Sequence, residues 1–255
     1  MPLQNALKRW GEKLTGLHIY RTVPRGIDMF QDVAISLPRL HVDTVFDVGA
    51  NVGQSCEVYL RAFPKSHVHC FEPVAETFAT LHQRMRGQSR VSCHRFALGA
   101  ANAHEQMATG AASDLSYRLN SCSDELGTET NRIEEVEVRK LDNFCTSEGI
   151  QHIGLLKIDT EGNDLDVLKG ASAILSAENI DLVQVEAGMN PENMRHVPFH
   201  NLNEFLLSHR YSLFGIYDQV HEWPTGAPNL RRINPLFISS KIVQLHRSIL
   251  ASRRG

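Results

Sequence analysis

The stretch Val45-Phe46-Asp47-Val48-Gly49-Ala50-Asn51-Val52-Gly53 decides how the chain is read. Val45, Phe46 and Val48 form a short apolar run, the pattern of a strand buried on both faces. Gly49 breaks the run. Gly53 stands at the entrance of a helix whose apolar residues resume at Val58, Leu60 and Phe63 before Pro64. Asn51, between the glycines, is after glycine among the residues most tolerant of positive φ. A strand, a turn of small residues and a helix let a ligand approach backbone closely and meet the free N–H groups of the first helical turn. A second strand, His67-Val68-His69-Cys70-Phe71, ends on Glu72-Pro73, and Glu72 follows Gly49 by 23 positions. A carboxylate so placed accepts hydrogen bonds from the hydroxyls of a ribose. Alone, the first feature is a plain turn and the second a solvated corner; together they indicate a nucleoside ligand.

Working outward, 255 residues suit one α/β domain with additions. Hydrophobic residues make up 42% and charged residues 22%, ordinary for a globular protein. A formal net charge of −3 gives no broad electrostatic case for a nucleic-acid partner. Cys56, Cys70, Cys93, Cys122 and Cys145 are widely spaced and form no CxxC pair. They read as reduced, mostly buried thiols of an intracellular protein. No apolar run reaches the length of a membrane span, and early charges argue against a signal peptide. The expected location is cytoplasmic.

Before the first core strand, Leu3, Leu7, Trp10 and Leu14 are spaced as in an amphipathic helix. Residues 21–30 read as loop and 31–40 as a second helix closed by Pro38. These elements either cover the ligand or pad the sheet. Downstream, residues 75–86 predict a helix through Phe78, Leu81 and Met85. Val91–Phe96 predicts a strand ended by Ala97-Leu98-Gly99. Residues 100–131 are small, polar and aperiodic, which marks a functional or mobile segment. Ile133–Val138 alternates as a half-wet strand, a sheet edge or an inserted hairpin. A short helix from Leu141 to near Gly149 precedes the buried strand Leu155-Leu156-Lys157-Ile158-Asp159.

Thr160-Glu161-Gly162 is a turn, and 163–175 carries the clearest helix pattern, capped by Asn163 or Asp164. Gly170 inside it costs about 1 kcal/mol relative to alanine, which suggests a packing reason. Leu182–Glu186 is the next strand, 199–209 a helix, and Ser212–Tyr217 with Leu236–Ser239 the last two strands. No helix pattern separates those two, so they predict a hairpin-like return and one antiparallel strand in a mainly parallel sheet. The tail 241–255 lacks acidic residues and places Ile242, Leu245, Ile249 and Leu250 on one helical face. A solvated terminal helix and a weak partner or lipid contact are its two readings.

In an open parallel sheet, ligands bind outside the carboxyl ends of the strands. That rule aligns Asp47, Glu72, Ala97-Leu98, Asp159 with Glu161, and Glu186 along one rim. For Asp47 and Glu72 the binding role outweighs simple capping; for Glu161 and Glu186, helix capping or pairing with Arg or Lys stands equally beside it. The turn lacks the G-x-G-x-x-G of a dinucleotide site and any G-K-[ST] phosphate loop. S-adenosylmethionine has no phosphate to place there. Its cationic amino group suits Asp47, its carboxylate suits helix-end N–H groups, and its ribose suits Glu72.

Five segments now occur in order: Phe46–Gly53; Phe71-Glu72-Pro73; Ala97-Leu98-Gly99; Leu141-Asp142-Asn143-Phe144; and Leu156-Lys157-Ile158-Asp159-Thr160-Glu161-Gly162 running into Asp164-Leu165-Asp166-Val167-Leu168-Lys169-Gly170. Over roughly residues 45–240 the chain resembles the FkbM family of S-adenosylmethionine-dependent methyltransferases. The resemblance implies a class I methyltransferase fold, a Rossmann-like three-layer α/β sandwich around a mainly parallel seven-stranded sheet with one antiparallel strand. It implies O-methylation of a sugar or polyketide-type acceptor. By position, Asp47, Gly49, Asn51 and Gly53 would line the methionine end of the cofactor, Glu72 would hold the ribose, and Ala97 and Leu98 would border the adenine. Asn163 and Asp164 stand where the family often has Ala and Glu, a departure that bears on the acceptor side. The chain then divides into an N-terminal extension of the same domain (1–44), the methyltransferase domain (45–240) and a basic tail (241–255).

Methyl transfer to a hydroxyl needs in-line positioning and removal of the hydroxyl proton. Asp159 is the first candidate for that contact, with Glu161 beside it and Glu186 one strand over; His196 and His200 are alternative bases. Asp159, Glu161 and Glu186 would also suit magnesium, although no metal site is assigned, and no His–Cys cluster suggests zinc. Two rival readings remain at this point: a nicotinamide-dependent oxidoreductase, disfavoured by the missing third glycine, and a catalytically silent nucleoside-binding module. A nucleic-acid methyltransferase is weaker, since the chain has no Asn-Pro-Pro-Tyr or Asp-Pro-Pro-Tyr stretch.

Overall fold

The computed structural model describes residues 13, 15, 16, 20, 23–109, 116–118, 132–193 and 195–252. Most of the expected helix at 3–14, most of segment 110–131 and Cys122 lie outside them. The chain enters through α1 (Met29–Ser36), then alternates β1 (Thr44–Val48), α2 (Gln54–Ala62), β2 (His67–Phe71), α3 (Ala75–Arg84) and β3 (Val91–His94). Short strands follow: β4 (Ala97–Leu98), β5 (Ala103–Thr109), β6 (Ser116–Arg118) and β7 (Arg132–Arg139). Next come α4 (Leu141–Glu148), β8 (Ile153–Ile158), α5 (Asp164–Gly170), α6 (Ser172–Ser176), β9 (Ile180–Val185) and β10 (Ala187–Gly188). The chain closes with α7 (Phe199–Ser208), β11 (Tyr211–His221), β12 (Leu230–Ser239) and α8 (Ser240–Ser252).

The main sheet runs β3-β2-β1-β8-β9-β12-β11, with β10 continuing the β9 edge of β12 past Glu186. β1, β2, β3, β8 and β9 are mutually parallel, and β12 runs antiparallel to both β9 and β11. This is the topology expected of a class I methyltransferase, with the return between the last two strands made as a hairpin. Side-chain alternation splits the core into two layers. Phe46, Phe71, Leu156, Ile158 and Val183 pack with Phe144 of α4, Leu168 of α5 and Leu202 of α7. Val45, Val68, Leu155, Leu182 and Leu236 pack on the other face, with Val33 of α1, Tyr59 of α2, Leu81 of α3 and Ile242 of α8. Cys56, Cys70 and Cys145 are buried free thiols, and Cys93 is half-buried. Among the described residues no helix is long and apolar enough to cross a membrane.

Three sequence expectations need correction. The helix predicted at 31–40 starts two residues earlier, at Met29, because Asp28 caps it by accepting a hydrogen bond from Gln31 N. The predicted strand 91–96 ends at His94, and Ala97-Leu98 leaves the main sheet to pair with Val138-Arg139 of a second sheet, ordered β4-β7-β5-β6. Ile133–Val138 is thus part of an inserted sheet, not the edge of the main one. Third, the predicted helix 163–175 breaks at Ala171 into α5 and α6.

Gly170 has the packing reason its position suggests. A Cβ there would overlap the carbonyl of Gly99, so helix α5 can approach the end of β4 only without a side chain. Gly170→Ala therefore sets two effects against each other. Helix propensity alone favours alanine by about 1 kcal/mol. The clash with fixed backbone should dominate, with a net loss of about 1–3 kcal/mol in urea unfolding; a stabilised variant would show that this close approach is not obligatory.

Candidate active site

The glycine turn and Glu72 lie on the same rim. Gly49 N and Ala50 N both donate to Phe71 O, at 3.0 and 3.0 Å, tying the turn after β1 to the end of β2. Gly49 adopts φ 77° and Asn51 φ 48°, the left-handed conformations the sequence indicated. A Cβ at Gly49 would overlap the Asp159 carbonyl, so only glycine lets β1 and β8 end so close together. Glu72 staples the two bends: its Oε2 accepts from Asn51 N at 3.2 Å and its Oε1 from Val74 N at 3.0 Å. Each oxygen keeps a lone pair for a further donor. Burial pushes the Glu72 carboxyl up to about 7, against the two backbone donors that favour its charge.

These bends wall a cavity of about 340 Å³. Its polar side carries Asn51, Glu72, Asp159, Thr160 and Glu161; its apolar side is Phe71, Leu98 and Met107. Gly49 and Ala97 also line it. Asn51 Oδ1 is buried there with no hydrogen-bond partner among the described residues. Such an orphaned acceptor beside a polar cavity suits a ligand donor.

Two of the residues expected at the cofactor do not line this cavity. Asp47 is fully buried on the opposite side of the β1 ribbon, because strand parity points it to the Val45 face. Its Oδ1 lies 3.1 Å from Lys157 Nζ, in register across β1 and β8. Gly53 caps α2 with φ 91° and packs under Leu81 and Met85, a conformational role.

Lys157 is the residue that the sequence reading passed over. Its ammonium reaches Asp47, Asp159 Oδ2 at 3.5 Å and Gly49 O at 3.4 Å. Burial opposes its charge, but Asp47, Asp159 and the Tyr59 hydroxyl outweigh that and raise its pKa. A lone cation inside the apolar run Leu155–Ile158 was the available signal, since buried lysines need a partner.

Of the expected catalytic carboxylates, Asp159 and Glu161 line the cavity and Glu186 does not. Glu186 is buried behind them, with Oε2 2.8 Å from His196 Nε2 and Oε1 bonded to Arg232. Burial works against its charge, yet His196 and Arg232 hold its pKa below the ordinary range. These contacts tie His196 and β12 to the end of β9. Asp159 differs. Its side chain is 40% exposed, and burial raises its pKa, opposed by Lys157 and reinforced by Glu186. Glu161 is likewise raised by burial and by Glu186. Its Oε2 is buried with no hydrogen-bond partner among the described residues, 3.8 Å from His196 Nε2.

Glu161, Glu186 and His196 bring one ligand atom each within 4.8 Å of one another, the geometry in which a cation could be held. His196 thus takes the place that the sequence gave to Asp159 in such a set. His196 is buried and its Nδ1 meets Asn193, whereas His200 lies on α7 and joins none of these contacts.

The chain matches the Methyltransferase FkbM domain over residues 47–213. It belongs to the FkbM methyltransferase family. Methyltransferase 1 of Beauveria bassiana is 30% identical over 174 residues, 62% of this chain and 67% of that protein. The 2-O-methyltransferase NoeI of Sinorhizobium fredii is 28% identical over 52% of this chain and 58% of its own. The hexuronic acid methyltransferase AglP of Haloferax volcanii is 25% identical over 60% of this chain and 59% of its own. The chain therefore spans under two thirds of the length of NoeI and AglP.

The segment that carries the FkbM resemblance, 157–164, is explained position by position. Lys157 holds the rim charges, Ile158 enters the core, and Asp159 faces the cavity. Glu161 at φ 50° and Gly162 at φ 99° make the turn, and a Cβ on Gly162 would clash with Arg195 O. Asp164 Oδ2 accepts from Thr160 Oγ1 at 2.9 Å, and its Oδ1 from Glu186 N at 3.2 Å. The sequence offered Asp164 as a helix cap; it instead fastens the turn to the end of β9. Burial carries its pKa up to about 7.

Lys157→Met should leave Asp47 buried without a cation, at a cost of about 3–5 kcal/mol in urea unfolding. Asp47→Asn combined with Lys157→Met should recover most of that loss. A single-variant cost under about 1 kcal/mol, typical of exposed pairs, would show that the pair does not organise the rim.

Proposed function

We propose that this FkbM-family protein binds S-adenosylmethionine in the 340 Å³ cavity and O-methylates a sugar or polyketide-type natural product. The observation that carries the reading is the shared rim: a left-handed glycine turn with an orphaned Asn51 acceptor, stapled to a Glu72 carboxylate that keeps lone pairs toward the cavity. NoeI and AglP, whose names specify 2-O- and hexuronic acid methylation, support an oxygen acceptor on a sugar. The four described free thiols support a reducing, cytoplasmic setting.

The residues fit the cofactor as follows. Glu72 accepts from the ribose hydroxyls, Phe71, Leu98 and Met107 give the adenine an apolar slot beside Ala97, and Asn51 with the Gly49 turn meets the methionine end. Asp47 acts one step removed, by holding Lys157. When bound, S-adenosylmethionine would supply a methyl group on cationic sulfur for transfer to the acceptor oxygen, with the sulfur leaving as a neutral thioether. Asp159 takes the hydroxyl proton. Its raised pKa makes it a stronger base than an ordinary aspartate, and Lys157 keeps it oriented. Glu161 stands next to it on the wall. Glu186 serves through His196 and Arg232 as a positioning residue. The scheme routes no step through a metal, and Glu186 is engaged by Arg232 and His196.

Glu72→Ala should abolish S-adenosylmethionine binding in calorimetry; unchanged affinity would place the ribose elsewhere. Binding should also depend on pH in a definite sense. Ribose hydroxyls donate to the charged carboxylate, so binding draws the Glu72 pKa down from about 7 and releases a proton. Affinity should thus weaken as pH falls below about 7, by up to about tenfold per unit, and level off above it; a flat profile would exclude Glu72 as the contact. Asp159→Asn should keep cofactor affinity and lose roughly 100-fold or more in turnover. Full turnover would remove Asp159 as the base, and a rate lost in chelator and restored by magnesium would replace the metal-free scheme.

A further inference from the structure

A second cavity, of about 550 Å³, opens on the other side of Lys157 and Asp159. It shares Ser55, Lys157 and Asp159 with the first, so the two meet along one wall. Strand parity explains the arrangement. Lys157 and Gln184 are in register on β8 and β9, on the face of Leu155 and Leu182, and both floor the second cavity. The roof comes from three places: Ile27–Phe30 at the start of α1, Val58 and Tyr59 of α2, and Tyr217, Asp218 and Asn234 of the β11–β12 hairpin.

The lining has a clear charge character. Asp28, Asp159 and Asp218 contribute three carboxylates, and among the described residues Lys157 is the only lysine or arginine on the wall. That lysine is already engaged by Asp47 and Asp159. Asp28 accepts from Gln31 N and Asp218 from Asn234 Nδ2, both neutral donors, and neither has an ion-pair partner among the described residues. Ile27 and Val58, exposed at 63% and 37%, supply apolar surface beside Phe30. Polar acceptors around an apolar shelf are what a hydroxyl-bearing ring requires. A carboxylate or phosphate on that ring would meet three like charges and, among the described lining residues, no free cation.

We propose that this second cavity is the acceptor site, and that it takes a hydroxyl-rich ring bearing no negative charge, presenting one hydroxyl to Asp159 at the shared wall. This rests on the reading of the first cavity as the S-adenosylmethionine site, and it sets the chain's specificity apart from that named for AglP, whose substrate is a hexuronic acid. Residues 27–30, ahead of the segment that matches the family, become specificity-determining.

The test uses octyl glucoside and octyl glucuronide, which differ at one carboxylate. Their binding to the full-length protein is titrated by calorimetry with S-adenosylhomocysteine present. The glucoside should bind, and the glucuronide should bind roughly tenfold more weakly or worse. The Asp28→Asn, Asp218→Asn double variant should narrow that ratio. Val58→Trp, which fills only the second cavity, should abolish glucoside binding while S-adenosylmethionine still binds. Equal affinity for the two glycosides, no saturable glucoside binding, or a Val58→Trp protein that binds glucoside as before would each overturn the proposal. Loss of S-adenosylmethionine binding in the unaltered protein would instead refute the function on which it rests, and the cofactor titration reads that separately.

Discussion

A single ammonium group, Lys157 Nζ, holds the carboxyl ends of the two central strands together. It touches Asp47 on β1, the carbonyl of Gly49 in the turn that follows, and Asp159 at the tip of β8. A charge buried this deeply is tolerated only with close, well-oriented counter-charges. The sheet supplies them by register, because Asp47 and Lys157 are direct neighbours on parallel strands and share a face. The geometry around it is equally constrained. Gly49 must be glycine for the turn to clear the Asp159 carbonyl, and that contact sets the distance between the two strand ends. The wall between the cavities is this contact and this ion pair.

The acidic residues along the rim therefore have separate jobs, sorted by their partners. Asp164 is consumed by Thr160 and the backbone of Glu186, and Glu186 by His196 and Arg232. Glu72 is half consumed, with two backbone donors and lone pairs to spare. Asp159 meets Lys157 at 3.5 Å and has the like charge of Glu186 beside it, with its side chain only part-exposed. A carboxylate tied to cations is a weak base, and one raised by burial and a like charge is a stronger one. Position on the rim does not decide how basic each carboxylate is; its neighbours do.

What could be read in the sequence follows from how local each feature is. The glycine turn, the left-handed Asn51, the strand ending on Glu72 and the hairpin before the last strand depend on a few adjacent residues, and each is found where expected. The packing reason at Gly170 was legible as an anomaly, although its partner, Gly99, was not. Features that depend on which strand lies beside which escaped notice. Alternation shows that Asp47 and Phe46 face opposite ways, but only the β1–β8 register shows that Asp47 meets Lys157. Ala97-Leu98 looks like the end of a strand because nothing local reveals that its partner is Val138-Arg139 in a separate sheet. The buried His196 sits in an irregular segment without periodicity. Its contact with Glu186 joins the loop after β9 to that strand's own tip.

Parity along β8 connects these observations. Leu156 and Ile158 fill one core layer, and Leu155 with Lys157 belong to the other. Asp159 is the next residue on the Lys157 side, but the strand has ended, so its carboxylate reaches the edge where both cavities open while its carbonyl stays packed against Gly49. One residue later, Thr160 is already turned inward to Asp164 and lines only the first cavity. The first residue past the central strand thus borders both cavities, together with Lys157 and Ser55. The lysine two residues before it, on the same face, is what keeps a negative charge stable at that point. The same lysine, already engaged by Asp47 and Asp159, is the one lysine or arginine among the described residues that line the second cavity.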